Sequence, residues 1–155
     1  TARQLRREHA LLPVHLLVSG CRAPQIPNPY PPLYALPDPE FLEELRLLNG
    51  IPQQALEYPE LIELMLPTLR ADFAVYDTYT YSTEPPLECP ISAFGGLQDG
   101  RVSQDDLAAW REQTSASFSL QLFPGDHFFL HTAQPLLLRT LYRELHLLVS
   151  QINGH

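Results

Sequence analysis

The chain contains no lysine: its ten basic residues are all arginine, set against eighteen acidic ones, and the formal net charge is -8. A chain with that balance is a poor partner for a polyanion, which argues against nucleic-acid binding. Cysteine is nearly as scarce. Cys21 and Cys89 are too few for a disulfide framework and stand in no metal-type spacing, so both read as reduced, part-buried thiols of a cytoplasmic protein. Long apolar runs are missing as well, since no stretch approaches the about 18 residues that a membrane-spanning helix needs. The opening "ARQLRREHALLPVHLLVSGC" imitates a lipoprotein signal through its arginines and its Val18-Ser19-Gly20-Cys21 box. Glu8, His9, Pro13 and His15 interrupt or flank what should be a clean apolar segment, and that reading is set aside.

What is abundant is apolar side chain, 45% of 155 residues, and proline, of which there are 16. This is enough for about one domain with a real core. Residues 1–9, "TARQLRREH", read as the last turns of a helix, with no cap ahead of a proper apolar stripe. Together with a first residue that is Thr and not Met, this suggests a fragment. "PVHLLVSG", 13–20, is a short apolar run bounded by proline and glycine, which suits a buried strand. Seven prolines then fall between residues 21 and 39, and a segment so poor in backbone donors is expected to be a stiff, irregular crossing.

Asp38-Pro39 reads as an N-cap followed by proline at the first helical position, with Phe41, Leu42, Leu45 and Leu48 on one face and Gly50 as the stop. Two further helices are expected near 59–66 and 68–80, each introduced by a proline, Pro59 and Pro67. Residues 38–82 thus form a helical insert. "CPISAFGG", 89–96, returns to a strand, and Ser103-Gln104-Asp105-Asp106 has the form of a capping box that opens a helix carrying Leu107 and Trp110. "FSLQLF", 118–123, alternates as a strand until Pro124-Gly125 breaks it. A last helix near 134–152 carries Leu137, Leu141, Leu145, Leu148 and Ile152 at helical spacing and stops at Asn153-Gly154. The order helix, strand, helical insert, strand, helix, strand, helix predicts an α/β fold around a parallel sheet.

Ligands of open parallel sheets gather at the carboxyl ends of the strands. Two ionisable residues fall there, Asp99 beyond Gly95-Gly96 and His127 beyond Phe123, separated by one helix and one strand. Neighbouring strands would bring their loops together, as a histidine base and its orienting carboxylate require. Each alone has a plainer reading: Asp99-Gly100 is an ordinary turn dipeptide, and a histidine among phenylalanines is usually structural. Asp126 is the rival carboxylate, but as the sequence neighbour of His127 it tends to point away from the ring. His127 and His131 are spaced like a zinc pair, yet Pro124-Gly125 stands too close for one helix to carry both, and no metal is expected. No serine has the Gly-x-Ser-x-Gly setting of an exposed nucleophile, Ser19 being nearest to a strand end, and Cys21 leads into proline, not into a helix N-terminus.

"LLVSGCRAP", "LPDPEFLEELRLLNGIP", "LMLPTLRADFAVYDTY", "CPISAFGGLQD" and "FPGDHFFL", in that order, resemble the C-terminal part of type II thioesterases of the α/β-hydrolase superfamily, which accompany nonribosomal peptide and polyketide synthases in antibiotic biosynthesis. The resemblance covers nearly the whole chain. It implies a Ser, Asp, His triad in chain order, with the aspartate on Asp99 and the histidine on His127. The serine elbow would lie before the helix whose tail is "ARQLRRE", so the chain departs from the family in lacking the nucleophile and the upstream oxyanion loop. Alone it is expected to be inactive and poorly stable, the strand at 14–19 having an unpaired edge. The insert 38–82 would correspond to a lid over the acyl channel, with Phe41, Leu45, Leu61, Leu64, Met65 and Phe73 as candidate lining residues, although most are expected to pack the insert itself. Arg70 and Asp72 are expected to form a structural ion pair. The implied substrate is an acyl or peptidyl thioester on the phosphopantetheine of a cytoplasmic carrier protein, with no cofactor, nucleic acid or membrane involved. Two other readings stay open, a non-catalytic carrier-binding relic and a general esterase or lipase.

Overall fold

The computed structural model describes residues 2–48 and 58–153. Three strands, β1 (Leu16–Ser19), β2 (Ile91–Gly96) and β3 (Phe118–Phe123), form one parallel sheet in the order β1-β2-β3. Leu16 is in register with Ile91, and Ile91 with Phe118. All six residues of β2 are buried, as expected of a central parallel strand covered on both faces.

The two faces have different covers. Val18, Ile91 and Ala93 pack with Leu16, Cys21, Trp110, Phe118 and Leu120 on one. Here lie α4 (Gln104–Ala108) and the 3-10 turn Ala109–Gln113 that continues it. On the other, Phe94 and Phe123 meet Phe129 of α5 (Phe129–Thr132) and Ala133, with Leu137 and Leu141 of α6 (Gln134–Asn153) against them. The expected α6 stripe is therefore only partly used. Leu137 and Leu141 reach the core, whereas Leu145 is half exposed, the side chain of Ile152 lies outside the described residues, and so does Gly154. An early helix, α1 (Ala2–His9), is present as the sequence suggested, and its Arg6 donates to the carbonyls of Pro85 and Pro86.

Residues 1–26 with 84–155 make one compact unit, and residues 27–83 make the other. The second has its own core of Leu33, Phe41, Leu45 and Ile62, flanked by Leu66, Leu69 and Phe73. It contains α2 (Asp38–Leu47) and α3 (Pro59–Asp77). Two expectations change here. Asp38 is the first residue of α2 and not its cap; Pro37 holds the cap position, and the Asp38 carboxylate instead takes a 2.6 Å ion pair from Arg70. Arg70 also donates to the Tyr34 carbonyl and lies over the Phe41 ring, so its role is structural, with Asp38 as partner where Asp72 was expected.

Pro67, read as the start of a third helix, lies inside α3, which runs unbroken from Pro59 to Asp77. A proline there removes one intrahelical donor, but Ile62, Leu66, Leu69 and Phe73 all serve the same core, and their burial outweighs the lost bond. The proline-rich crossing also holds more order than its composition suggested, a 3-10 turn at Leu33–Ala35 whose Leu33 and Tyr34 amides donate to the Asp77 carboxylate. The expected stop at Gly50 lies outside the described residues.

Candidate active site

The carboxyl ends of the three strands converge on His127. After β2 the chain turns through Leu97 and Gln98 to Asp99, and after β3 it turns through Pro124, Gly125 and Asp126 to His127. The two turns are bonded together: the Leu97 amide donates to the Phe123 carbonyl at 2.8 Å, the Gln98 amide to the Gly125 carbonyl at 2.9 Å, and the Gly125 amide to Gln98 Oε1 at 2.7 Å. Gly96 makes that proximity possible, because a Cβ there would overlap the carbonyls of Gly125 and Asp126. At the end of β1, Gly20 has φ +59, and a Cβ on it would stand 3.7 Å from His127 Cε1. Gly20 is thus needed for its positive φ, with the imidazole at ordinary contact distance, whereas Gly96 is needed for the space it leaves to the loop of His127.

His127 Nδ1 lies 2.9 Å from Asp99 Oδ2, with the aspartate side chain fully buried and the histidine side chain 30% exposed. The other carboxylate oxygen, Oδ1, accepts the Arg101 amide at 2.8 Å and the Val102 amide at 3.0 Å. Burial pushes the Asp99 pKa up, but the hydrogen bond from His127 and the two amide bonds together outweigh it and hold the group below the ordinary aspartate value. An ionised acceptor at Oδ2 requires the proton of the neutral imidazole to sit on Nδ1. That leaves Nε2 as the basic atom, on the far edge of the ring.

The turn that supplies those amides is held from below. Arg22, buried just past β1, donates to the Arg101 carbonyl at 2.6 Å and stands 3.9 Å from the Asp106 carboxylate. Asp106 in turn completes the capping box with Ser103, whose side chain and backbone each exchange a bond with it. The sequence marked that box correctly, and nothing in it marked Arg22.

Asp126, the rival carboxylate, accepts the Phe128 amide at 2.9 Å and so shapes its own turn. Phe129 is fully buried and stacks on Phe123 at 5.6 Å, which anchors the loop, while Phe128 stands edge-on to His127. His131 lies in α5 and stacks on Phe128, whereas His127 precedes that helix, and among the described residues no group of three or more potential ligands could hold a metal ion. Burial raises the Cys21 thiol pKa against a backbone hydrogen bond at Ser19, which disfavours a thiolate. Ser19 is exposed at the end of β1, with no elbow around it.

Of the six candidate channel residues, Phe41 and Leu45 are buried in the core of unit 27–83, and Phe73 meets Phe41 edge to face there. Met65 is half-buried, and Leu61 and Leu64 are exposed. Among the described residues no helix is long and apolar enough to cross a membrane.

A family model described as a thioesterase domain matches residues 1–145. The chain is 45% identical over 149 residues to the gramicidin S biosynthesis protein GrsT of Aneurinibacillus migulanus, covering 96% of this chain and 58% of that protein. Among solved structures it resembles the RedJ thioesterase of the prodiginine pathway in Streptomyces coelicolor, with a TM-score of 0.84 at 35% identity over 90% of this chain and 56% of the other. It also resembles the type II thioesterase BorB of the borrelidin cluster, with a TM-score of 0.81 at 34% identity over 93% and 58%. The chain spans about half the length of the relatives it matches.

Proposed function

Because this chain belongs to the thioesterase-domain family, we propose that it supplies the base and the orienting acid of a type II thioesterase that clears acyl or peptidyl groups from the phosphopantetheine arm of carrier proteins. The observation that carries this reading is the 2.9 Å bond between His127 Nδ1 and the buried carboxylate of Asp99 at the ends of adjacent parallel strands. The nucleophile in this reading is a serine outside residues 1–155. His127 Nε2 takes its proton as the serine oxygen attacks the thioester carbonyl carbon. The C–S bond then breaks, His127 returns the proton to the departing thiolate, and an acyl-serine ester remains. Water, deprotonated by the same Nε2, attacks that ester, and the serine leaves with the proton. Throughout, Asp99 accepts the Nδ1–H bond, which fixes the tautomer and stabilises the imidazolium when it forms.

Carrier-bound substrates are supported by the relatives, which include a gramicidin S biosynthesis protein and a type II thioesterase from the borrelidin cluster. Unit 27–83 is assigned the lid over the acyl channel, an α-helical body with its own core in the middle of the chain. Water exclusion around the ester is the chemical service such a lid performs.

The test is hydrolysis of a carrier-bound acyl thioester by the protein together with its serine. His127→Ala should lower kcat/KM by about a thousandfold or more and Asp99→Asn by a similar factor. Unchanged turnover in His127→Ala would refute the assignment. Faster cleavage of simple esters than of carrier thioesters would favour the esterase reading instead.

A further inference from the structure

Asp99 and His127 sit on separate loops, and their hydrogen bond persists only if those loops keep their spacing. From the contacts between the loops we infer that Gln98 is a positioning residue, holding His127 against Asp99 through Gly125; this deepens the thioesterase reading and rests on it. Gln98 grips the Gly125 peptide from both sides, its own amide donating to the Gly125 carbonyl at 2.9 Å and its Oε1 accepting the Gly125 amide at 2.7 Å. It is the residue immediately before the aspartate, and Gly125 stands two before the histidine, so the clamp sets the distance between the partners directly.

The grip is directed at a peptide that needs it. Gly125 has φ +125, a conformation that other residues rarely adopt and that glycine itself does not favour over its alternatives. A glycine free to change φ would let the Pro124–Asp126 turn relax and carry the imidazole away from the carboxylate. Other bonds of that turn run toward α5: Asp126 accepts the Phe128 and Phe129 amides, and Thr132 reaches the Pro124 carbonyl at 3.4 Å. Those contacts tie the turn to the helix that follows. The Gln98 side chain ties it to the loop of Asp99. An acceptor of that length is required, since an asparagine carbonyl falls one methylene short.

Gln98 is exposed, so its replacement removes the bond without opening a cavity. The experiment compares Gln98→Leu and Gln98→Ala, which lack the acceptor, with Gln98→Glu, which keeps one at the same reach, in the full chain. The readout is the ratio of the Nδ1–H to the Nε2–H tautomer of neutral His127, from side-chain nitrogen chemical shifts, with thermal unfolding run alongside. Losing one such bond should lower the ratio by about fivefold to tenfold in Gln98→Leu and Gln98→Ala. Gln98→Glu should keep the native ratio, and all three variants should melt close to the native temperature. An unchanged ratio in the acceptor-less variants, a loss in Gln98→Glu as well, or a fall in only one of Leu and Ala would overturn the inference. The tautomer ratio does not depend on hydrolysis. If His127→Ala proves harmless to turnover, the thioesterase reading falls while the clamp is still judged on its own measurement.

Discussion

At Asp99 a single buried carboxylate accepts three hydrogen bonds, two from the amides of Arg101 and Val102 and one from His127. The consequence is a pH dependence with a definite sign. Its folded pKa lies below that of an unfolded aspartate, about 3.9, so the ionised group stabilises the fold above that value, and the contribution is lost as pH falls through the lower, folded pKa. Urea unfolding followed from pH 6 downward should show an acid limb below about pH 4 that is flatter in Asp99→Asn. An acid limb identical to that of the native chain would remove Asp99 from the account. The pairing of Asp99 with His127 was legible in the sequence because strand ends are where loop residues gather, and the rival Asp126, also past the Pro-Gly break, is the sequence neighbour of His127 and turns to the Phe128 amide instead. Gln98 and Arg22 were not legible. A loop glutamine and an arginine before a proline-rich run carry no pattern, and each acquires its role from a backbone atom remote in sequence.

Among the elements, local signals succeeded where the deciding bond is local. The Ser103 box is read correctly because its hydrogen bonds connect residues three apart. They failed where the partner is distant. Asp38-Pro39 has the form of a cap, but Arg70, remote along the chain, engages the carboxylate, and Asp38 becomes the first helical residue. Pro67 shows the same conflict at larger cost. Its ring leaves the Glu63 carbonyl without an intrahelical donor, yet the helix continues because four apolar residues on one side of α3 share a core. Pro67→Ala restores that donor while making the unfolded chain more flexible, and the net effect should be a stabilisation of about 1–2 kcal/mol. Thermal unfolding of the variant measures it, and a lowered melting temperature would show that the fixed φ of Pro67 matters more than the missing bond.

Across the whole molecule, each of the two compact units has its own interior, and within unit 27–83 burial separates the residues that hold it together from those left at its surface. Phe41 is fully buried in the core of unit 27–83, whereas Leu64 on α3 is 76% exposed. Phe41→Ala should therefore destabilise the protein by about 3–5 kcal/mol. Leu64→Asn should leave the melting temperature nearly unchanged. If unit 27–83 is the acyl-channel lid, Leu64→Asn should also alter the relative kcat/KM for long and short acyl thioesters, and identical preference would take Leu64 out of the channel. The six residues nominated from the sequence could not be sorted this way beforehand, since apolar periodicity identifies a helix face that must be covered without saying what covers it.

The order of residues alone was enough for the strands, the parallel α/β arrangement, the capping box and the placing of Asp99 and His127 at strand ends, because each depends on short-range periodicity, on backbone chemistry of proline and glycine, or on bonds between near neighbours. Tertiary structure alone decided that Asp38 pairs with Arg70, that α3 passes through its proline, that Gly96 admits the Gly125–Asp126 carbonyls, and that Asp99 reaches His127 at 2.9 Å. These outcomes rest on atoms brought together from distant parts of the chain. The Gly96 and Asp99 contacts exist only once the sheet has set its register, and those of Asp38 and α3 only once unit 27–83 has formed its own core.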